Sequence, residues 1–142
     1  MFDHTLLTRN KTGSTERTTL ADLQRLFMEV KKHKRTTIIQ LSQLNREIEE
    51  TSRINNNTQH FPMRRDIFGG DSVFHASDYV IVLHRPEVLG ITAYGVKNWP
   101  VRNAERDKGI IYMHFLKARE GEPKILAFEN NLKYNRIDDY KM

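Results

Sequence analysis

The segment TTIIQLSQLNR, residues 36–46, decides the class of fold that the sequence predicts. It opens with Thr36–Leu41, a β-branched and apolar run that does not alternate apolar with polar residues. Such runs are typical of strands buried on both faces, as in parallel sheets covered by helices. Ser42 and Gln43 then place polar groups at the carboxyl end of the strand, which is the edge where α/β sheets bind ligands. A bland interpretation is that the strand simply ends there and Asn45 starts a turn.

The flanking sequence completes a βαβ unit around this strand. Upstream, apolar residues at helical spacing predict a helix of about four turns that ends near Lys34, with Thr19 as a capping residue and Leu26 widening the apolar stripe. Downstream, Asp71–Ala76 predicts a short helix, and YVIVL (Tyr79–Leu83) predicts a second buried strand. The helical stripe consists of Leu20, Leu23, Phe27 and Val30.

The last third of the chain predicts antiparallel structure. Ile110–Leu116 and Lys124–Phe128 read as a hairpin, and Tyr134–Ile137 as a further strand of a meander. Two irregular stretches interrupt the pattern: the polar segment Asn45–Arg65, of a length that is usually functional or disordered, and Leu89–Lys108. The prediction is an α/β fold of parallel strands with helices and an antiparallel C-terminal edge, resembling the second half of a larger domain.

Composition narrows the class of protein. The 142 residues fit one domain, and with no cysteine the chain has no disulfide framework, cysteine zinc site or thiol catalysis. The mean hydropathy is −0.65, and no apolar run approaches the ~20 residues that a membrane span requires. The first residues carry an acid and no cleavage site, so we expect an intracellular protein without a signal peptide.

The net charge favours anionic partners, whereas the sequence motifs do not indicate a catalytic site that is complete within this chain. The 23 basic and 18 acidic side chains give +5, which favours partners such as nucleic acid, although many ordinary domains are equally basic. The six histidines show no HxxxH or HExxH spacing, and GxSxG is absent. The phosphate loop GxxxxGK[ST] is also absent, since the sequence contains no Gly-Lys pair.

Two further features of the sequence each have a functional interpretation and a purely structural one. Asp3, in an apolar strand-like run, either holds Mg²⁺ through water or merely ends a strand. Lys117 and Arg119 share one face of a strand and so can reach one anionic target. They either act on the phosphates of a neighbouring subunit, as an arginine finger does, or form a solvated basic hairpin tip.

In this order the motifs resemble the C-terminal ATPase domain of the DnaB-type hexameric replicative DNA helicases, which has a RecA-like fold. The resemblance implies a partial RecA-like P-loop NTPase fold, with residues 1–142 as the C-terminal half of the motor domain and residues 89–108 as an insertion. It also implies a protein of the cytoplasm of a bacterial or phage-infected cell. The motifs that carry it are MFDHTLL, LSQLNR, DIFGGDSVFHASDYVIVLHRPE, FLKAREG and YNRIDDY.

The resemblance assigns nucleotide-binding roles to residues at matching positions. Asp3 would be the Walker B acid that holds Mg²⁺ through water, and Gln43 the sensor that links the γ-phosphate to the DNA-binding loops. Lys117 and Arg119 would reach the ATP of the adjacent subunit, with Arg119 as the finger. The remaining pair, Arg85 and Phe128, matches positions that pack on the adenine, although Phe128 equally suits a core aromatic.

The resemblance also implies that the loops Asn45–Arg65 and Asp66–Ser72 grip single-stranded DNA by its phosphates. Family members usually carry a basic residue soon after the position of Asp66, where this chain has Phe68. The basic residues instead come just before it. The candidate DNA-binding residues are Arg64, Arg65, Asp66, Gly69 and Asp71.

Two functions from different classes follow. The first is part of a replicative helicase that uses ATP and Mg²⁺, assembles as a homo-hexamer, translocates on single-stranded DNA and unwinds duplex. The Walker A residues and the catalytic carboxylate are not in this sequence, so this chain alone is expected to be inactive without a polypeptide carrying the Walker A half. The alternative is a non-enzymatic single-stranded nucleic-acid-binding module or helicase-associated factor. A degenerate remnant, exposing apolar sheet surface, is a third interpretation.

Overall fold

The computed structural model describes residues 16–68 and 70–141, which fall into two compact units. The first unit contains the described residues up to Asn45 together with Arg64–Asp78, and the second contains Arg46–Met63 and the chain from Tyr79 onward. The helices are α1 (Glu16–Lys34), α2 (Thr51–Ile54) and α3 (Gly70–Ala76). The strands are β1 (Tyr79–His84), β2 (Ala93–Tyr94), β3 (Trp99–Pro100), β4 (Arg102–Asn103), β5 (Lys108–Ala118), β6 (Ile125–Asn131) and β7 (Arg136–Tyr140).

Helix α1 confirms the predicted amphipathic helix but corrects its start and its width. It begins at Glu16, so Thr19 lies within the helix and is not its cap. The apolar stripe is confirmed at Leu20, which is 6% exposed, whereas Leu26 is 57% exposed and lies outside the stripe. At the C-terminal end, the Lys31 ammonium pairs with the carboxylate of Asp78. No helix in the described part of the chain is long and apolar enough to cross a membrane.

The predicted strand Thr36–Leu41 is not formed over residues 36–40 of the described structure, and Leu41 forms only a single β-bridge. Residues 35–40 have no regular secondary structure, and Ile39 is 83% exposed. The segment is held to α1 by the Gln24 side-chain amide, which donates to the Gln40 side-chain oxygen at 2.7 Å. β-Branched residues favour strands. The strand-like run Met1–Leu7 lies outside the described residues, so its pairing with Thr36–Leu41 stays a prediction.

The second unit contains an antiparallel sheet in which the strands follow the order β1–β5–β6–β7, with β4 also pairing with β5. The predicted strand Tyr79–Leu83 is confirmed as β1, and the predicted hairpin and meander are confirmed as β5, β6 and β7. The predicted parallel pairing is not found among the described strands. Consistent with an antiparallel sheet, β1 is not buried on both faces: Ile81 is 47% exposed and Val82 only 6%.

The polar stretch Asn45–Arg65 is built from short helical turns around a buried arginine. The Arg53 side chain, 3% exposed, donates from Nε to the carbonyl of Gln59 at 3.2 Å. Its Nη2 donates to the carbonyl of Phe61 at 3.1 Å. These bonds supply donors to two loop carbonyls, so the stretch is ordered although it lacks a hydrophobic repeat.

The stretch Leu89–Lys108, predicted to be irregular, forms the β2–β3 hairpin and strand β4. It belongs to the core of the second unit, because Tyr94 is fully buried and its ring centroid lies 4.6 Å from that of Tyr112. Gly95 has φ +68°, and a Cβ there would come within 2.5 Å of the Phe61 ring. Both the backbone conformation and the close approach therefore require glycine at this position.

A buried polar chain connects this stretch to the sheet. The Tyr94 hydroxyl lies 2.7 Å from Nδ1 of His84 on β1 and 2.8 Å from Nε2 of His114 on β5. Burial, followed by the nearby His84, lowers the pKa of His114 from 6.5 to about 3. Burial also raises the pKa of the Tyr94 hydroxyl. A neutral phenol between two imidazoles therefore joins three elements of the second unit.

We expect Tyr94→Phe to lower the free energy of unfolding by about 1–2 kcal/mol, because both imidazoles lose a buried hydrogen-bond partner. Urea titration of the full chain measures this change. Tyr134→Phe is the matched control, since the Tyr134 side chain is 70% exposed, and it should change stability little. Equal effects of the two substitutions would contradict the role given to the Tyr94 hydroxyl.

We also expect the chain to lose stability as the pH falls from 6.5 toward 3. Above pH 6.5 His114 is neutral in both states, whereas below it the unfolded chain takes up a proton that the folded chain does not. Each pH unit in this window then costs up to about 1.4 kcal/mol. In urea titrations at several pH values, His114→Gln should flatten this dependence, and His33→Gln, at an exposed side chain, should not.

Candidate functional site

The candidate sensor segment, residues 42–45, lies antiparallel to residues 65–68 in the first unit. The contacts alternate between backbone and side-chain donors, which fixes one register between the two segments. They are the Leu44–Ile67 bridge, Phe68 N–H to the Gln43 carbonyl (3.1 Å), Asn45 N–H to the Asp66 carbonyl (2.6 Å), Asn45 Nδ2 to the Arg65 carbonyl (2.8 Å) and the Ser42 hydroxyl to the Phe68 carbonyl (3.3 Å).

The two segments are held together mainly through Asn45. Its backbone N–H and its side-chain amide donate to consecutive carbonyls, those of Asp66 and Arg65. Gln43 lies two residues earlier and its side chain is exposed, so it is accessible to a ligand. A short, hydrogen-bonded path therefore connects the backbone of Gln43 to residues 65–68.

Buried side chains anchor the loop that carries the candidate DNA-binding residues. Asp66 is fully buried and Ile67 is 4% exposed. The structure thus places Asp66 inside the first unit and not on the surface predicted for a DNA-contacting residue. Its carboxylate is suited to fixing the loop, because a buried charge must be paired or hydrogen-bonded.

The neighbouring arginines have different surroundings. The Arg64 guanidinium binds the Asp71 carboxylate on α3, with Nε at 2.9 Å and Nη2 at 2.7 Å. It also donates to His75 Nε2 at 2.8 Å and lies over the Phe74 ring, 5.0 Å from the centroid. The Arg65 side chain is exposed and makes no hydrogen bond or ion pair with another described residue. Gly69, the remaining candidate of this loop, lies outside the described residues.

The candidate finger residues lie at one end of β1 in the second unit. Lys117 is half-buried near the end of β5, opposite Val80, and Arg119 is exposed in the turn that follows β5. The register places Lys117 beside the first residues of β1, whereas Arg119 lies past the end of β5, so the two do not share one face of a strand as predicted. Lys117 and Arg119 nevertheless lie at the same end of β1.

The candidate adenine-contacting residues lie at the other end of β1. Arg85 directly follows His84, which pairs with Tyr112 on β5, and Phe128 pairs with Ile111, the preceding residue of β5. Arg85 and Phe128 therefore belong to the same end of the sheet. Strand β1 has six residues, so this end lies about 20 Å from the finger residues.

The Arg85 guanidinium lies near a carboxylate, which limits its freedom to contact a nucleotide. Its Nη2 lies 3.6 Å from the Glu87 carboxylate, and its Nε is buried without a hydrogen-bond partner in the described structure. Phe128 is half-buried on β6. No group of three His, Asp or Glu side chains in the described part of the chain could hold a metal ion. Asp3, the candidate Mg²⁺ ligand, lies outside that part.

Comparison with models of known protein families shows to which family the chain belongs. The family model described as "DnaB-like helicase C terminal domain" matches residues 1–139. The chain belongs to this family. A search of curated proteins found no match for this DnaB-like domain.

Solved structures show which fold the DnaB-like domain has. It is similar to a structure described as an "ATPase Domain", with a TM-score of 0.73 and 17% identity over 99% of this chain and 43% of that one. It is also similar to "The Structure Of A DnaB-Like Replicative Helicase And Its Interactions With Primase", with a TM-score of 0.72 and 18% identity. The second match covers 96% of this chain and 29% of the other. The chain therefore has a partial RecA-like α/β fold and spans less than half the length of these neighbours.

Sequence reasoning missed the role of Asn45, which it treated as the start of a turn. Asn45 belongs to the LSQLNR motif of this DnaB-like domain. The motif does not indicate that the side-chain amide of Asn45 donates a hydrogen bond to a residue 20 positions away. The Tyr94 link between His84 and His114 was missed for the same reason. Each bond joins residues distant in sequence.

We expect Asn45→Ala to loosen the junction of this DnaB-like domain. Loss of the amide donor, worth about 1 kcal/mol, should speed exchange of the Phe68 and Ile67 amide protons about five-fold, as measured by NMR. Asn55→Ala is the matched control, because Asn55 is exposed in the adjacent polar stretch and should leave these amides unchanged. Unchanged exchange in Asn45→Ala would exclude Asn45 as the link.

Proposed function

We propose that residues 1–142 are the C-terminal half of the motor domain of a replicative DNA helicase, which uses ATP to translocate on single-stranded DNA and to unwind duplex. The observation that carries the proposal is the hydrogen-bonded junction between residues 42–45 and 65–68. It links the exposed candidate phosphate sensor, Gln43, to the loop that bears the exposed Arg65. This coupling is what a motor needs to make DNA grip depend on nucleotide state.

The separation of the candidate nucleotide-binding residues supports a ring of subunits. Arg85 and Phe128 lie at one end of β1, whereas Lys117 and Arg119 lie about 20 Å away at the other. One subunit would hold the adenine of its own ATP with the first pair and reach the phosphates of its neighbour's ATP with the second. Such head-to-tail contacts close into a ring, and we propose the homo-hexamer.

Mg²⁺ and ATP are the cofactors that this function requires. Asp3 would hold Mg²⁺ through water, and the metal would neutralise charge on the phosphates. Gln43, with an amide that both donates and accepts, would sense the γ-phosphate. The Arg119 guanidinium would stabilise charge on the transferred phosphoryl group of the adjacent subunit's ATP.

Residues 1–142 contain no Walker A loop, so ATP hydrolysis requires one supplied from outside these residues. The supplier is either the remainder of a longer protein or a separate polypeptide that carries the Walker A half. Residues 89–108 would be an insertion relative to the family, and Tyr94 packs them into the core of the second unit. We place the protein in the cytoplasm of a bacterial or phage-infected cell, where replication takes place.

A second candidate function is a single-stranded nucleic-acid-binding module or helicase-associated factor without catalysis. The net charge of +5 and the exposed Arg65 support it as well as they support the helicase. The two functions differ in whether ATP is hydrolysed when a phosphate loop is supplied.

ATP hydrolysis in the presence of single-stranded DNA separates these functions. We expect none for the chain alone, hydrolysis when a polypeptide with the Walker A half is added, and a loss of about 10³-fold or more in Arg119→Ala. Lys141→Ala, at an exposed position outside the candidate site, is the control and should keep full activity. An inactive mixture whose DNA binding weakens as salt rises would instead support the non-enzymatic module.

A further inference from the structure

Arg64 and Arg65 are adjacent in sequence, yet their side chains have different surroundings in the structure. Three side chains of α3 contact the Arg64 guanidinium: it donates to the Asp71 carboxylate and to His75 Nε2, and its Cζ lies over the Phe74 ring, 5.0 Å from the centroid. To bind a DNA phosphate it would have to give up these contacts. The exposed Arg65 side chain has no hydrogen bond or ion pair with another described residue to give up.

The contacts of Arg64 depend on the shape of its side chain. Nε donates to Asp71 and Nη2 to His75, while Cζ lies over an aromatic ring within cation–π distance. A lysine ammonium has the same charge but neither the planar fork nor the stacking surface. The environment of Arg64 is therefore matched to a guanidinium and not simply to a positive charge.

The backbone between these arginines and the sensor segment is held from the other side. The Asn45 amide donates to the Arg65 carbonyl at 2.8 Å, and the next two residues, Asp66 and Ile67, are buried. With Arg64 fixed on α3 and the Arg65 carbonyl fixed by Asn45, the Arg65 side chain is presented from an ordered backbone. Such preorganisation lowers the entropy cost of binding.

We propose that Arg64 is a positioning residue that fixes the DNA-binding loop onto α3, and that Arg65 is the residue that contacts a DNA phosphate. Asp71 is then the anchor of Arg64 and not a DNA-contacting residue. The inference rests on the proposed binding of single-stranded DNA by this loop. The sequence alone assigns DNA binding to both arginines, whereas the inference assigns the phosphate contact to Arg65 and the positioning of the loop to Arg64.

Conservative and non-conservative variants of both arginines test this division. Binding of the full chain to a fluorescent oligothymidylate of about 20 nucleotides is measured between about 50 and 200 mM salt. We expect Arg65→Ala to weaken binding about five- to ten-fold and to reduce the magnitude of the salt slope by about 0.7, because one phosphate contact is lost. Arg65→Lys should restore both affinity and slope.

We expect Arg64→Ala and Arg64→Lys to behave alike, because either substitution removes the fork and the stacking. Both should weaken binding about two- to five-fold without changing the salt slope, since no phosphate contact is lost. Both should also speed exchange of the Phe68 amide proton, whereas Arg65→Ala should leave it unchanged. This exchange is measurable without DNA, so it detects the positioning role separately.

Two results would overturn the inference. If Arg64→Lys binds like the unsubstituted chain and Arg64→Ala reduces the salt slope, then Arg64 contacts phosphate directly. If Arg65→Ala keeps full affinity and slope, then Arg65 does not. Failure of the unsubstituted chain to bind the oligothymidylate would overturn the proposed DNA-binding function itself, which is a different outcome from either.

Discussion

The amide of Asn45 makes the hydrogen bond on which the candidate site depends. Together with the backbone N–H of the same residue, it fixes residues 42–45 against residues 65–68 and so links an exposed glutamine to an arginine loop. Apart from the short 3-10 turn Arg64–Asp66 and the single Leu44–Ile67 bridge, the two segments have no regular secondary structure at this point. Removing the Asn45 side chain would leave the Arg65 carbonyl without this donor, whereas the backbone N–H of residue 45 would still reach the Asp66 carbonyl.

The second unit is held together by a different polar contact, which lies inside a sheet. The Tyr94 hydroxyl reaches His84 and His114, and thereby attaches residues 89–108 to β1 and β5. The sheet also fixes the spacing of the candidate nucleotide-binding residues, because both pairs lie at ends of β1. Residues 89–108 are thus part of the core of the second unit.

The sequence was informative wherever a local pattern determines structure. Helix α1 and the β5–β6 hairpin could be predicted, because helical spacing and turn residues are local properties of the sequence. The family could be recognised for the same reason, since its motifs are short and local. Residues 36–40 form no regular strand in the described structure, because β-branched composition alone does not determine a strand. The burial of Asp66 and the different surroundings of Arg64 and Arg65 could not be predicted, because they depend on α3 and on a contact 20 residues away.

Hydrogen exchange of the full chain with and without oligothymidylate tests most directly whether the junction is the site that senses DNA. The account predicts that DNA slows exchange in peptides covering both residues 42–45 and residues 64–68, while exchange in β6 and β7 is unchanged. Protection confined to the hairpin tip after β5, or to the basic end of α1, would contradict it. In that case DNA would bind this chain without engaging the sensor segment.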